Sequence, residues 1–331
     1  RQVIVGAREL DLSQVGNKSW QGTHLINTHG CGLVIAPAAQ VDNSRKPAYD
    51  TTIADVGTPE IYFGTSMSGY AVLNTTVNET ACEGQEVQPY AGTGGVQLNS
   101  TMRRLAFALS EFDYNLVGSS AIDDSSRFVS VRNVGDRVRK VAPFLALDGD
   151  PYPVVAGDRV VWVIDAYTTS NRYPYGENAD LSQLGSNSGL DTAFNYVRNS
   201  VKAVVDAYDG SVTLYVVDPT DPVLQVWKSA FPDLFEPIDS MSAELRDHLR
   251  YPEDLFRIQT AAYSKYRLDA ADFFDRRGAW SVSLAPPEQA TNASDATTNT
   301  VAADAGSTQF ASDSSTQRFE PYYTMFHAAG D

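Results

Sequence analysis

The chain has 331 residues, of which 43% are apolar and 20% charged, and its 25 basic and 41 acidic side chains give a formal charge of −16. This is the composition of a folded globular protein, and it excludes collagen-like, coiled-coil and globally disordered chains. The acidic balance argues against a nucleic-acid partner, because phosphate recognition requires a net basic surface. The longest stretch without charged or strongly polar groups, Cys31–Ala39, has nine residues, whereas a membrane-spanning helix needs about 20.

Short strands are predicted in the first third of the chain. Residues 2–8 and 31–37 each form one strand, and residues 60–73 contain two. Ser100 then begins a helix that continues to about Glu111, followed by a second helix over 133–141. The first helix carries one apolar stripe, the pattern of a helix that packs against a core. The stripe consists of Leu105, Ala106, Leu109 and Phe112.

Two hairpins follow, over 153–165 and 201–217. In the second, apolar residues alternate with Lys202 and Asp206, and Asp209-Gly210 are the residues that a type I′ turn favours. From Asp221 onward the pattern becomes helical, with Pro222 at a first helical position. The sequence therefore predicts an α+β fold with an antiparallel sheet and helices concentrated in the C-terminal third.

The end of the chain differs in composition. Residues 286–318 are rich in Ala, Thr, Ser, Asp and Asn, and their only large apolar groups are Val301 and Phe310. A segment of this kind cannot build a core, so we predict a disordered linker or inserted loop. Residues 319–331 are predicted to return to the domain as a strand. Residues 1–285 are then one α+β domain, with two subdomains as an alternative.

Two cysteines, Cys31 and Cys82, allow two interpretations. As a disulfide they would close a loop of about 50 residues, which contributes roughly 4 kcal/mol in the chain-entropy model. As free thiols they would be small buried apolar residues.

Asp148 and Asp150 form an Asp-x-Asp pair, which can hold a divalent cation through oxygen ligands. The competing interpretation is a tight turn before a strand, since Asp, Gly and Pro all favour turns.

The densest polar segment, residues 165–176, follows the strand that contains Trp162. Polar loops at the end of a rigid hairpin often carry binding sites. Tyrosine rings suit sugars or peptide side chains, and an arginine suits a carboxylate or phosphate. An ordered loop whose tyrosines simply pack on the domain is the alternative. The candidate ligand-binding residues are Asp165, Tyr167, Thr168, Thr169, Arg172, Tyr173, Tyr175 and, from a second polar cluster, Arg198.

A basic set, Arg132, Arg137, Arg139 and Lys140, stands out in this acidic chain. We interpret it as a solvated helix face, with contact to an anionic lipid or polymer as the alternative.

Several stretches together resemble uncharacterised protein family 0182, a family of bacterial, largely actinobacterial, membrane proteins. The similarity spans roughly residues 2–280 and resumes near residue 320. The stretches are Ala7–Asp11, Asn27–Gly30, Ile61–Gly64, Tyr90–Gly95, Arg103–Ala108, Asp150–Tyr152, Asp165–Thr169, Arg172–Tyr175, Tyr196–Tyr208, Arg250–Phe256 and Glu320–Tyr323.

Members of that family carry about seven transmembrane helices followed by a large extracytoplasmic domain. The resemblance implies that this chain is that domain, separated from its membrane helices, and that the domain continues past Asp331. Its setting would be the outer face of the plasma membrane, where disulfides persist. The family usually has an aromatic residue at the position of Cys31, so a bridge to Cys82 would be a local addition. The resemblance carries no catalytic residue over to this chain.

Two functions are therefore expected. The first is non-catalytic: the domain binds an envelope glycan, lipid or partner protein through residues 165–176, needs no cofactor, and contacts its own transmembrane region. The alternative is a glycosyl or phosphoryl transferase that uses a divalent cation at Asp148 and Asp150, with help from Asp165.

Overall fold

The computed structural model describes residues 3–49, 56–82, 88–182, 184–275, 278, 280–283, 319 and 321–323. The chain divides into two compact units, one of Arg1–Ile258 with Met325–Asp331 and one of Gln259–Thr324. The predicted linker over 286–318 and nearly all of the predicted strand over 319–331 lie outside the described residues.

Strands and helices alternate irregularly along the first unit, and helices dominate after residue 221. The strands are β1 (Val3–Ala7), β2 (Gly30–Cys31), β3 (Leu33–Pro37), β4 (Glu60–Ile61), β5 (Ala71–Leu73), β6 (Val96–Gln97), β7 (Arg127–Val129), β8 (Ala146–Leu147), β9 (Tyr152–Ala156), β10 (Arg159–Ser170), β11 (Tyr196–Asp206), β12 (Val212–Val216) and β13 (Phe235–Pro237). The helices are α1 (Thr101–Ser110), α2 (Asn115–Gly118), α3 (Val134–Val141), α4 (Pro222–Ala230), α5 (Ala243–Asp247), α6 (Glu253–Tyr266) and α7 (Ala270–Asp275), with a π-helical turn at Gly22–Ile26 and a 3-10 turn at Ile238–Ser240.

The largest sheet has the strand order β13-β12-β11-β10-β8, and β9 pairs with the same edge of β10 as β8 does. Only β12 and β13 run parallel. Both predicted hairpins belong to this sheet, as β9-β10 and β11-β12. The predicted α+β class, with its antiparallel hairpins, is therefore confirmed.

Both faces of this sheet are covered, as the apolar runs of β10 and β11 require. Alternate residues such as Trp162, Ile164 and Ala203 belong to the main core, while Val161 and Val163 pack on the opposite face with Met241 and Leu245. A separate cluster lies around the three-stranded sheet β5-β7-β6, including Val72, Phe128 and Leu116. The sheet is thus a rigid support for whatever projects from the ends of its strands.

The predicted type I′ turn at Asp209-Gly210 is wrong. A type I′ turn needs positive φ at both central residues, and of these two only Gly210 has it, at 71°. The connection instead runs from Ala207 to Ser211, and the N–H of Gly210 donates to the carbonyl of Asp206 at 2.9 Å.

The helix α1 begins as predicted, with the Ser100 side chain accepting from the N–H of Arg103. Its buried face was predicted wrongly. Leu105 and Leu109 are exposed, and Phe112, at φ 54°, is 95% exposed. The helix instead packs through Ala108 and Phe107, and the Phe107 ring stacks on Phe128. The apolar stripe pointed to the wrong face because this short helix contacts the core through one narrow side.

The second unit contains the end of α6 and helix α7. The guanidinium of Arg267 lies 3.6 Å from the centre of the Trp280 ring. The N–H of Phe319 donates to the carbonyl of Ser283 at 3.0 Å.

Candidate functional site

The predicted binding loop over 165–176 is a strand for half of its length, because β10 continues to Ser170 through pairing with β11. The side chains of Asp165, Tyr167 and Thr168 are consequently buried, and that of Thr169 is half-buried. These four residues support the site, and only the residues beyond Ser170 project from it.

Asp165 forms a buried ion pair with Lys202, its register partner on β11. The ammonium of Lys202 also donates to the carbonyl of Arg250 at 3.0 Å. Burial raises the pKa of Asp165, although the charge of Lys202 opposes the increase. The alternation of apolar and polar residues along this strand predicts that the Lys202 side chain points to solvent. Lys202 is instead only 3% exposed, because the chain around Arg250 covers this face of the sheet.

Asp148 connects three segments of the fold. Its carboxylate accepts hydrogen bonds from the hydroxyl of Tyr167, from the N–H of Asp150 at 2.9 Å and from the N–H of Asp254 at 3.0 Å. The Asp254 carboxylate in turn accepts from the N–H of Gly149 at 3.0 Å. Burial and the nearby charge of Asp148 raise the pKa of Asp254. This network attaches the start of α6 to the turn after β8.

Asp150 lies at the half-exposed edge of the same network. Its carboxylate pairs with Arg250 at 2.8 Å, and the Arg250 guanidinium stacks 3.7 Å from the centre of the Tyr152 ring. Burial raises the pKa of Asp150 against the effect of Arg250. The carboxylates of Asp148 and Asp150 thus already accept hydrogen bonds from the protein, and a cation at this pair stays a prediction.

A second buried carboxylate, Asp221, begins α4. Its oxygens accept from the hydroxyls of Thr168, of Ser200 at 2.5 Å and of Tyr196 at 2.7 Å, and from the N–H of Val223 at 3.0 Å. Burial opposes ionisation, but the hydrogen bonds outweigh it and lower the pKa of Asp221. This cluster anchors the ends of β10 and β11.

The exposed end of the β10-β11 pair carries Arg172, Tyr173 and Tyr175. We call these three residues the hairpin tip. Asn195 holds the backbone here: its side chain accepts from the N–H of Tyr173 at 3.0 Å and donates to the carbonyls of Tyr173 at 2.9 Å and Gly176 at 3.2 Å. Arg198, also a predicted ligand contact, pairs with Asp218 at 2.8 Å.

The Cys31–Cys82 disulfide is present. Beside it lies a buried polar centre in which Glu79 accepts from the hydroxyls of Thr28 and of Tyr62, the latter at 3.0 Å. Arg132 belongs to this centre, contrary to the predicted solvated face: it is 1% exposed and its Nε donates to the carbonyl of Tyr62 at 2.9 Å. Burial lowers the pKa of Arg132 to about 10, although the charge of Glu79 opposes this.

Sequence reasoning did not identify Lys202, Asp221 and Asp254 as members of these networks. A signal existed for two of them: Lys202 interrupts an apolar strand, and Asp221 precedes Pro222 at a helix start. Nothing local connects Asp254 with Asp148, 106 positions away.

No helix among the described residues is long and apolar enough to cross a membrane. No solved structure matches the chain.

Relatives from several bacteria match most of this chain. A UPF0182 protein of Frankia alni is 41% identical over 312 residues, which cover 86% of this chain and 30% of the relative. Those of Micrococcus luteus and Moorella thermoacetica are 37% and 39% identical, covering 87% and 85% of this chain and 30% and 32% of the relatives. The chain thus spans about a third or less of the length of these relatives. The family model described as "Uncharacterised protein family (UPF0182)" matches residues 1–331, and the chain therefore belongs to this family.

Proposed function

We propose that the chain is the extracytoplasmic domain of a multi-pass bacterial membrane protein, and that its hairpin tip binds an envelope glycan, lipid or partner protein. The observation that carries the proposal is the contrast within one short segment. Asp165, Tyr167 and Thr168 are fixed in the fold, whereas Arg172, Tyr173 and Tyr175 project into solvent. A rigid base with projecting polar and aromatic groups is the arrangement of a recognition surface.

The chemistry of the tip suits ligands with rings and anionic groups. The side chain of Tyr173 packs against one neighbour, because its ring lies 6.1 Å from the ring of Tyr196 in a stacked orientation. Tyr175 is fully exposed at a positive φ of 56°. The guanidinium of Arg172 has no ion-pair partner among the described residues, so it can pair with a carboxylate or phosphate without losing an internal contact.

Two features support the extracytoplasmic setting. The Cys31–Cys82 disulfide is of a kind that persists in oxidising compartments and is rare in the cytosol. The relatives extend far beyond the matched region, which covers about 30% of the Frankia alni protein, so the proposed membrane helices have room in the unmatched part.

The binding test compares the double variant Arg172→Ala/Tyr173→Ala with the control Arg103→Ala/Tyr114→Ala, which removes the same two residue types from exposed positions on α1 and beside α2. Titration calorimetry and co-sedimentation would use peptidoglycan fragments, wall polysaccharide and anionic vesicles. We expect the tip variant to weaken binding to one probe by about tenfold or more, equivalent to about 1.4 kcal/mol, and the control to leave it unchanged. Equal binding by both variants and the parent chain, with unchanged circular dichroism, would remove the tip from the proposal.

A further inference from the structure

The disulfide lies against the imidazole of His29, which is 9% exposed. His29 Nδ1 is 3.9 Å from Cys31 Sγ and 3.9 Å from Cys82 Sγ. These three atoms lie within 4.8 Å of one another, and no other group of three His, Cys, Asp or Glu ligands in the described part of the chain converges so closely.

We propose that reduction of this disulfide creates a zinc site with Cys31 Sγ, Cys82 Sγ and His29 Nδ1 as ligands and a fourth position open to water. Tetrahedral zinc has Zn–S near 2.3 Å and Zn–N near 2.0–2.1 Å, so its N···S edges are about 3.6 Å and its S···S edge about 3.8 Å. The two N···S separations are already close to this size. The two sulfurs, bonded in the oxidised form, are the ligands that must move apart.

The chemistry balances with a dithiol as reductant. Thiol–disulfide exchange transfers two electrons to the Cys31–Cys82 bond, which opens into two thiols, while the dithiol becomes a disulfide. Zinc then displaces the two thiol protons to solvent, because thiolate is the ligand form of cysteine. The oxidised chain offers no thiolate, so the site is confined to the reduced form.

The surroundings of His29 suit a metal ligand. The His29 ring packs edge-on against Tyr62 at 5.1 Å. Its Nδ1 lies 3.0 Å from the carbonyl of Gly30, which can only accept, so Nδ1 donates this hydrogen bond in the oxidised chain. Zinc at Nδ1 replaces the hydrogen bond, and the ring proton is then carried by Nε2. Tyr62, whose ring packs against His29, donates its hydroxyl to the carboxylate of Glu79 at 3.0 Å. A carboxylate near a ligand imidazole, here the half-buried Glu79, is a common second partner in zinc sites. Cys31 is half-buried, which leaves the bond open to a reductant.

The test uses the chain before and after reduction with a phosphine, followed by removal of the reductant. Calorimetry with Zn²⁺, and Co²⁺ absorption in the thiolate charge-transfer region, are measured for the parent chain and for His29→Gln and Cys31→Ser/Cys82→Ser. We expect one equivalent of metal on the reduced chain and none at this site on the oxidised chain. His29→Gln should weaken binding by more than about tenfold, since even the loss of a group that hydrogen-bonds a metal ligand costs about 10- to 100-fold. In the double cysteine variant the charge-transfer band should be absent.

A measurement on the parent chain alone guards against variants that fail to fold. Zn²⁺ should slow alkylation of both thiols by iodoacetamide, read by mass spectrometry. Two results would overturn the proposal. One is zinc binding by Cys31→Ser/Cys82→Ser that equals zinc binding by the reduced parent chain. The other is alkylation of both thiols at the same rate with and without Zn²⁺. It uses none of the hairpin-tip residues, so its failure and that of the binding proposal are separate results.

Discussion

The stability of the fold is expected to depend strongly on the buried ion pair of Lys202 and Asp165. The pair is enclosed by the sheet and by the carbonyl of Arg250. Removing one partner of such a pair leaves the other charge buried and uncompensated, which costs about 3–5 kcal/mol. We expect Lys202→Met to lower the free energy of unfolding by about that amount, measured by urea denaturation. The double variant Lys202→Met/Asp165→Leu should recover part of the loss, and a fully additive loss would contradict this account.

The ionisation of Asp221 makes the stability of the first unit depend on pH. Its folded pKa lies below the ordinary value because hydrogen bonds from Ser200, Thr168 and Tyr196 outweigh burial. The ionised group therefore stabilises the fold at every pH above its unfolded pKa, near 3.9, and this contribution is lost as the pH falls through the lower folded value. Asp221→Asn should unfold more easily than the parent chain at pH 7, by about 1–3 kcal/mol. The difference should narrow below about pH 4 in urea titrations, whereas a gap that stays constant down to pH 2.5 would refute the assignment.

Helices α1 and α2 show which features of a helix follow from local sequence preference and which follow from packing. The cap at Ser100 was predictable because capping is local. The buried face of α1 was not, because Ala108 and Phe107 face the core while Leu105 and Leu109 face solvent. We expect Leu109→Ser, at an exposed position, to change stability by less than about 0.5 kcal/mol. Leu116→Ala, at a fully buried position, should cost about 2–5 kcal/mol in the same urea assay. The reverse order would contradict the assignment of Leu109 to the surface and Leu116 to the core.

The same distinction between local preference and packing explains which parts of the fold could be predicted from the sequence. Both hairpins, the helix α3 and the start of α4 at Pro222 follow from period-2 or helical patterns and from residues that favour helix starts, which act over a few positions. The site networks join distant residues: Asp148 meets Asp254 across 106 positions, and Arg132 meets Thr28 across 104. The local sequence pattern holds no information about such pairs. For this reason the pattern alone places Arg132 on an exposed helix face and Asp165 to Thr168 in a loop.

For the whole molecule, the Cys31–Cys82 bridge closes a loop across 51 positions. Constraining the unfolded chain in this way contributes about 4 kcal/mol in the entropic model. We expect the parent chain to lose roughly this amount on reduction in metal-free urea titrations, and Cys31→Ser/Cys82→Ser to be as stable as the reduced parent. An unchanged unfolding midpoint after reduction would show that the bridge does not constrain the unfolded state.

In the proposed setting, the hairpin tip faces the outside of the cell. Tyr175→Cys, in the full-length parent protein, places a reactive thiol at a fully exposed position, while the two cysteines of this chain are bonded to each other. The parent protein without the substitution gives the background labelling. Intact cells would be treated with a membrane-impermeant maleimide, with lysed cells as the measure of full labelling. We predict that intact cells label Tyr175→Cys to the same extent as lysed cells. Labelling that requires lysis would contradict the account.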